Sequence, residues 1–424
     1  MRRFLSLLVL LCLGCTAALQ AQPTALVGGT VHPVSGPAID DGVVVFDGST
    51  IVAVGPRDEV VIPAEAQRID ASGHVITPGF IDASTATGLI EVSSVSDTRD
   101  NAIGGDPIRA AFRVTDGINP NSTVVPITRL GGVTTVASIP SGGLIAGQGA
   151  VIDLGGGRLD AMLVRDGAGM YASFNPDGAD ASGGSRGAIS LRMREAFDDA
   201  QFYRDNASAF NQGSARPMAV SRLDLEALGP VLDGAMPLVL RASRASDIDA
   251  ALRLADAYDV RPVILGGEEA WMRADALAAA NVPVILKPLT NLPTEFDRLG
   301  SRFDNAALLA EAGVPVVLSS FDTHNARNLR FEAGNAVRFG LDWAAALRGV
   351  TLQPAQTLGI AETHGSLEAG KTANLVVWSG DPFEFTSAPE HIFIQGDRIE
   401  NTSRQQELLE RYKTLGDRPP QYRK

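Results

Sequence analysis

Histidine and cysteine are scarce in this sequence, with five of the first and two of the second among 424 residues. Both cysteines, Cys12 and Cys15, stand near the start. A chain processed after Ala21 would therefore carry no disulfide, no thiolate nucleophile and no cysteine metal ligand. His32 and His74 lie early, His364 and His391 lie late, and only His324 falls well within the long central part. One imidazole without a thiolate cannot supply a zinc site of the usual nitrogen and sulfur kind. A carboxylate-only site would favour magnesium or calcium, which are poor at making hydroxide at neutral pH. Positive charge is also in deficit. The formal net charge of −13 repels phosphate backbones and argues against nucleic-acid binding. Beyond the first residues no apolar run nears the roughly 20 residues of a membrane span.

What is present begins with a distinct leader. Met1-Arg2-Arg3 is basic, Phe4 to Leu13 is apolar, and small residues follow up to Ala21. This layout is that of a secretory signal over residues 1–21, which predicts an exported, periplasmic or extracellular protein. Lipoprotein processing at Cys15 is the second reading, because Cys12 replaces the usual aliphatic residue three places earlier.

Residues 24–76 read as short strands and turns, with apolar runs at 25–31, 42–48 and 50–55 and an Asp47-Gly48 turn. From Pro78 to Gly365 strand-like runs alternate with Ala- and Leu-rich helical stretches. The strands are 133–136, 236–240, 261–265, 282–286 and 314–318; the helices are Ala245 to Tyr258 and Glu269 to Ala280. Repetition of this kind is the mark of buried parallel strands and βα units. β character returns at 373–378 and 391–398, and a charged, Gln-rich tail follows Asn401. The predicted fold class is α/β: a TIM-type (β/α)8 barrel over 78–365 with a small discontinuous β domain formed by 22–77 plus 366–424. Each terminal segment alone has too few strands to bury a core.

The stretch His74-Val75-Ile76-Thr77-Pro78-Gly79-Phe80-Ile81-Asp82 resembles the entry to the amidohydrolase superfamily barrel. Residues 130–136 are similar to the family's second strand. Residues 143–152 resemble a loop of the imidazolonepropionase-like branch, and 328–337 resemble that branch near the end of the barrel. Residues 365–378 look like the family's return to its β domain. The resemblance implies metal-assisted hydrolysis, in which a zinc-type ion lowers the pKa of bound water to about 7. It also implies the ligands: a His-x-His pair after the first strand, one His after each of the fifth and sixth, and an Asp after the eighth. In binuclear members a bridging carboxylate or modified lysine is added. Here the matching positions are Ser84 and Ala86, Arg241, and Gly267, with Asp322 the occupant at the eighth strand.

No metal and no cofactor is therefore expected. Family membership alone implies a hydrolase of carbon–nitrogen bonds other than peptide bonds. The missing imidazoles favour a protein that has lost metal-dependent hydrolysis and binds a small ligand or a partner at the barrel mouth. The candidate mouth residues are Ser84, Arg241, Glu268, Lys287, Asp322 and His324. Arg241 and Asp322 are expected to pair, either as an internal ion pair or as part of a mouth that grips a small anionic ligand. Ser84 lacks an identifiable His and carboxylate to activate it. Lys287 reads as a Schiff-base lysine or as a solvated or phosphate-positioning one, His324 as a general base or a solvated loop residue. Glu268 reads as a mouth residue or a helix-start carboxylate. The run Gly155-Gly156-Gly157 reads as a turn, lacking a nucleotide loop's context. A homo-oligomer, or pairing with an active homologue, is the expected form of partnership.

Overall fold

A computed structural model describes residues 22–400 and 402–413 of the chain. The leader expected over 1–21 lies outside the described residues. Among the described residues no helix is long and apolar enough to cross a membrane.

Two eight-stranded sheets organise the chain. The first draws strands from both ends of the sequence. Its early members are β1 (Thr24–Val31), β2 (Ile39–Asp47), β3 (Thr50–Pro56), β4 (Gln67–Asp70) and β5 (Val75–Pro78). The hairpin between β2 and β3 turns at Gly48, whose φ of +51° favours a residue without a Cβ. The late members are β14 (Leu375–Trp378), β15 (Pro389–Ile394) and β16 (Asp397–Ile399). They join where β14 pairs antiparallel with β5, Leu375 opposite Pro78. After Asn401 the charged segment forms a helix, Arg404–Tyr412, opened by a reciprocal Ser403–Gln406 capping box and burying no residue.

The second sheet is the barrel. In order around it stand β6 (Phe80–Thr85), β7 (Val133–Ser138), β8 (Ile145–Asp153), β9 (Leu163–Ser173), β10 (Leu238–Ala242), β11 (Pro262–Gly266), β12 (Val284–Leu286) and β13 (Val316–Leu318). Proline recurs at the strand starts, where its missing N–H is not needed. The carbonyls of Pro237, Pro283 and Pro315 accept bonds from Met170, Ile264 and Val284 at 2.9, 2.9 and 3.0 Å. Ile81, Ala83, Tyr171, Val239, Leu265, Ile285 and Val317 fill the interior, and the larger core lies between strands and helices.

The barrel departs from a regular (β/α)8 ring at its third strand. β8 runs antiparallel to both β7 and β9. Residues 139–144 are too few for a parallel crossover, which needs a dozen or more. Gly142 and Gly143, at φ +83° and +71°, turn the chain straight back. The stretch 143–152, expected as a loop, is thus largely this strand. The helix expected over 269–280 is also interrupted: a 3-10 turn at Ala270–Arg273 precedes a helix at Ala274–Ala279. The helix expected from Ala245 to Tyr258 is found with those bounds.

A buried polar cluster fastens the two sheets together. Asp153 at the end of β8 accepts from Thr135 at 2.7 Å, from Asn374 at 2.8 Å and from Gln395 at 3.1 Å, and His364 Nε2 lies 3.2 Å away. Beside it Trp378 of β14 is fully buried, stacks on Phe80 at 5.1 Å and donates to Thr77 Oγ1 at 2.9 Å. Truncating such a side chain leaves a cavity that the surrounding sheets cannot fill. Trp378→Ala is expected to lower the unfolding free energy by about 3–5 kcal/mol. Denaturant titration checks this, with the exposed Val61→Ala as a control expected to stay within about 0.5 kcal/mol.

Candidate functional site at the barrel mouth

The C-terminal ends of the barrel strands carry the polar side chains, as expected of the functional face of such a fold. Three groups form there. The first surrounds Asp82, which is fully buried on β6. Its carboxylate accepts from Ser319 Oγ at 2.5 Å, from the Ser320 N–H at 3.3 Å and from the Ser320 hydroxyl. Ser84 is buried beside it, its N–H 3.4 Å from Asp82 Oδ1. Burial raises the Asp82 carboxyl to about 6, and the serine and backbone donors pull it the other way.

The second group lies after the seventh and eighth strands. Glu332 sits on the helix Leu329–Arg338 among its buried positions Leu329, Ala333 and Ala336. It accepts from the Leu289 N–H at 2.9 Å and lies 3.8 Å from Lys287 Nζ. Burial lifts its carboxyl to about 7; Asp82 and Asp322 push the same way, while the Leu289 bond and Lys287 oppose. Lys287, Asp322 and Glu332 line one pocket of about 600 Å3. Asp322 Oδ1 accepts from the N–H groups of His324 and Asn325, each at 2.9 Å, and His324 Nε2 lies 2.9 Å from the Glu91 carbonyl.

The third group surrounds Arg241. Val239 points into the barrel, and Arg241, two residues on, faces the same way. Among the described residues its guanidinium has no hydrogen-bond or ion-pair partner, and it lines a cavity of about 190 Å3 with Tyr171 and Asp177. The expected pairing of Arg241 with Asp322 is not formed. The fifth and eighth strands stand three places apart around the sheet, and Asp322 is occupied by its own turn. Glu268 and Asp177 are instead the carboxylates whose charge acts on Arg241. Glu268 Oε1 is 3.7 Å from Arg298, while its Oε2 is buried without a hydrogen-bond partner.

The six residues singled out in the sequence thus fall into separate places. Lys287 and Asp322 share a pocket; Ser84, Arg241, Glu268 and His324 do not join them there. Asp82, Glu332, Tyr171 and Asp177 were not singled out. The signal for Glu332 was available: it occupies an apolar-face position, three and four residues from its buried neighbours, where a carboxylate is costly. Tyr171 and Asp177 carried no such signal.

The barrel is of the kind found in amidohydrolases, and comparisons with known proteins agree. The sequence pattern described as "Amidohydrolase family" matches residues 252–402. An imidazolonepropionase of Pseudomonas paraeruginosa (strain DSM 24068 / PA7) is 30% identical over 369 residues, covering 80% of this chain and 88% of the relative. The amidohydrolase tasK of Hapsidospora irregularis is 25% identical over 374 residues, and the chain spans 38% of that longer protein. The crystal structure of an amidohydrolase from Thermotoga maritima MSB8 superimposes with a TM-score of 0.81 at 27% identity, covering 89% of this chain and 99% of that one. The chain belongs to the amidohydrolase superfamily, in its imidazolonepropionase-like branch.

The side chains at the mouth do not fit that family's catalytic metal. Ser84, Ala86, Arg241 and Gly267 offer no imidazole, and a guanidinium repels a cation. Among the described residues no three His, Cys, Asp or Glu side chains converge as a metal site.

Asp82 titrates above its ordinary value of 3.8, at about 6, so its ionised form is the disfavoured one in the fold. Stability linked to it is fully present below pH 3.8 and is lost as pH rises through about 6. The loss is on the order of 3 kcal/mol. Asp82→Asn is expected to flatten the pH dependence of Tm across that window, as read by calorimetry from pH 3.5 to 7.5.

Proposed function

We propose that this chain is a hydrolase of non-peptide carbon–nitrogen bonds in small amides or cyclic amides, working from an atypical site without a metal. The observation that carries this reading is the pairing of a buried Glu332 with Lys287 in a pocket at the C-terminal mouth. A carboxyl titrating near 7 is poised to act as a general base at neutral pH. In this scheme Glu332 takes a proton from water as the water oxygen bonds to the amide carbonyl carbon. The Lys287 ammonium stabilises the oxyanion that forms. The carbon–nitrogen bond then breaks, and the proton on Glu332 passes to the leaving nitrogen. Amidohydrolase and imidazolonepropionase relatives support the reaction class.

A second reading is favoured by one observation: residues unable to hold zinc stand at the family's ligand positions. On that reading the mouth binds a small ligand or a partner and no longer hydrolyses, acting as a homo-oligomer or beside an active homologue. Under either reading we take the sheet shared by the two chain ends to be a small discontinuous β domain that supports the barrel.

Metal analysis of the purified protein, followed by amide and cyclic-amide hydrolysis assays with and without Zn²⁺, separates these readings. Hydrolysis is expected to withstand chelation and to rise with pH through about 7. Glu332→Gln should lower kcat/KM by roughly 10²-fold or more, and Lys287→Met should lower kcat. Absence of turnover under every condition would leave the second reading. Stoichiometric, tightly held zinc would overturn the metal-free site.

A further inference from the structure

The Arg241 cavity is built as a receptor for a molecule carrying both signs of charge. It lies between β9, β10 and the Gly142-Gly143 turn that leads into β8, apart from the pocket of Lys287 and Glu332. Tyr171 is 4% exposed, and its hydroxyl is buried without a hydrogen-bond partner among the described residues. A buried phenol normally finds one, since desolvating an unpaired hydroxyl is costly. Arg241 presents donors on the same cavity, again without a partner. Asp177 stands exposed at the rim, its Oδ2 3.4 Å from Asn175 Nδ2. Arg241 and Asp177 line one space, and their charges act on each other, yet no ion pair within 4.0 Å closes between them. Two opposite charges held apart across a cavity leave room for a ligand that bridges them.

We propose that this cavity binds a free α-amino acid as its zwitterion. The carboxylate would take the planar guanidinium of Arg241 and the Tyr171 hydroxyl; the ammonium would face Asp177. Arginine's fork matches a carboxylate with two parallel bonds. A single, half-buried cation, with Asp177 and Glu268 nearby, suits a monoanionic group and disfavours a doubly charged phosphate. The volume of about 190 Å3 equals roughly six water molecules at about 30 Å3 each. That admits an amino acid with a short to medium side chain. The proposal does not depend on hydrolysis at Glu332, because the two pockets are lined by different residues.

Isothermal titration calorimetry of the purified protein tests this. The ligands are the free L-amino acids one at a time, with propionate and inorganic phosphate as partial mimics. At least one amino acid is expected to bind at least about tenfold more tightly than either mimic, and Arg241→Met and Asp177→Asn should each weaken it at least about tenfold. Tyr171→Phe, which removes only the hydroxyl, should weaken it several-fold. Asp177 is exposed, so its Asn variant keeps the test valid should the Arg241 variant fail to fold. Binding of no amino acid, equal binding of propionate or phosphate, or undiminished binding by the Asp177 and Tyr171 variants would each overturn the proposal. Failure of the unmodified protein to bind any amino acid, with turnover intact, would reject this inference and leave the hydrolase reading standing.

Discussion

The barrel depends on one carboxylate. The sheet runs in hydrogen-bonded order from β6 to β13, and those two end strands are not neighbours in its ladder. Asp82 on β6 spans the gap, gathering Ser319 and Ser320 from the chain just beyond β13. The Ile81 N–H adds a bond of 2.8 Å to the Val350 carbonyl. Low dielectric makes each hydrogen bond to Asp82 strong and makes any missing one expensive. The closing contact is therefore also a point of electrostatic tension, with a buried carboxyl whose charge is only partly repaid by its donors.

That tension extends to the mouth. Asp82 and Asp322 both act on Glu332, so the group that closes the barrel helps to hold a second carboxyl near neutrality. Lys287 offsets part of this from 3.8 Å. A mouth tuned by mutually repelling carboxyls and one amine differs in kind from one tuned by a divalent cation. In the metal case a single ion supplies the Lewis acid and the hydroxide together. Glu332 and Lys287 are the pair that this pocket brings together. Across the mouth, Arg241 places a fixed positive charge within reach of the charges of Glu268 and Asp177.

The family resemblance was legible because it rests on contiguous motifs. The turn into β6, the second strand and the return to β14 each follow from short runs of glycine, proline and β-branched residues whose local preferences agree with their place in the fold. The alternation of strands and helices announced a barrel for the same reason. The scarcity of histidine needed only a count. The reversed third strand was less visible, since 143–152 is rich in glycine and its direction is set by a short connection at its start.

What the sequence determined by itself was the fold class, the superfamily and the scarcity of histidine. All three depend on local pattern and composition. What only the tertiary structure decided was which polar residues meet. Asp82 finds Ser319 and Ser320 more than 230 residues away. Glu332 finds Lys287, and Arg241 turns away from Asp322 toward a cavity with Tyr171 and Asp177. Such contacts are set by the order of strands around the ring and by which face each side chain takes. Spacing along the chain can indicate a face, as at Glu332, but it does not say which distant residues meet there.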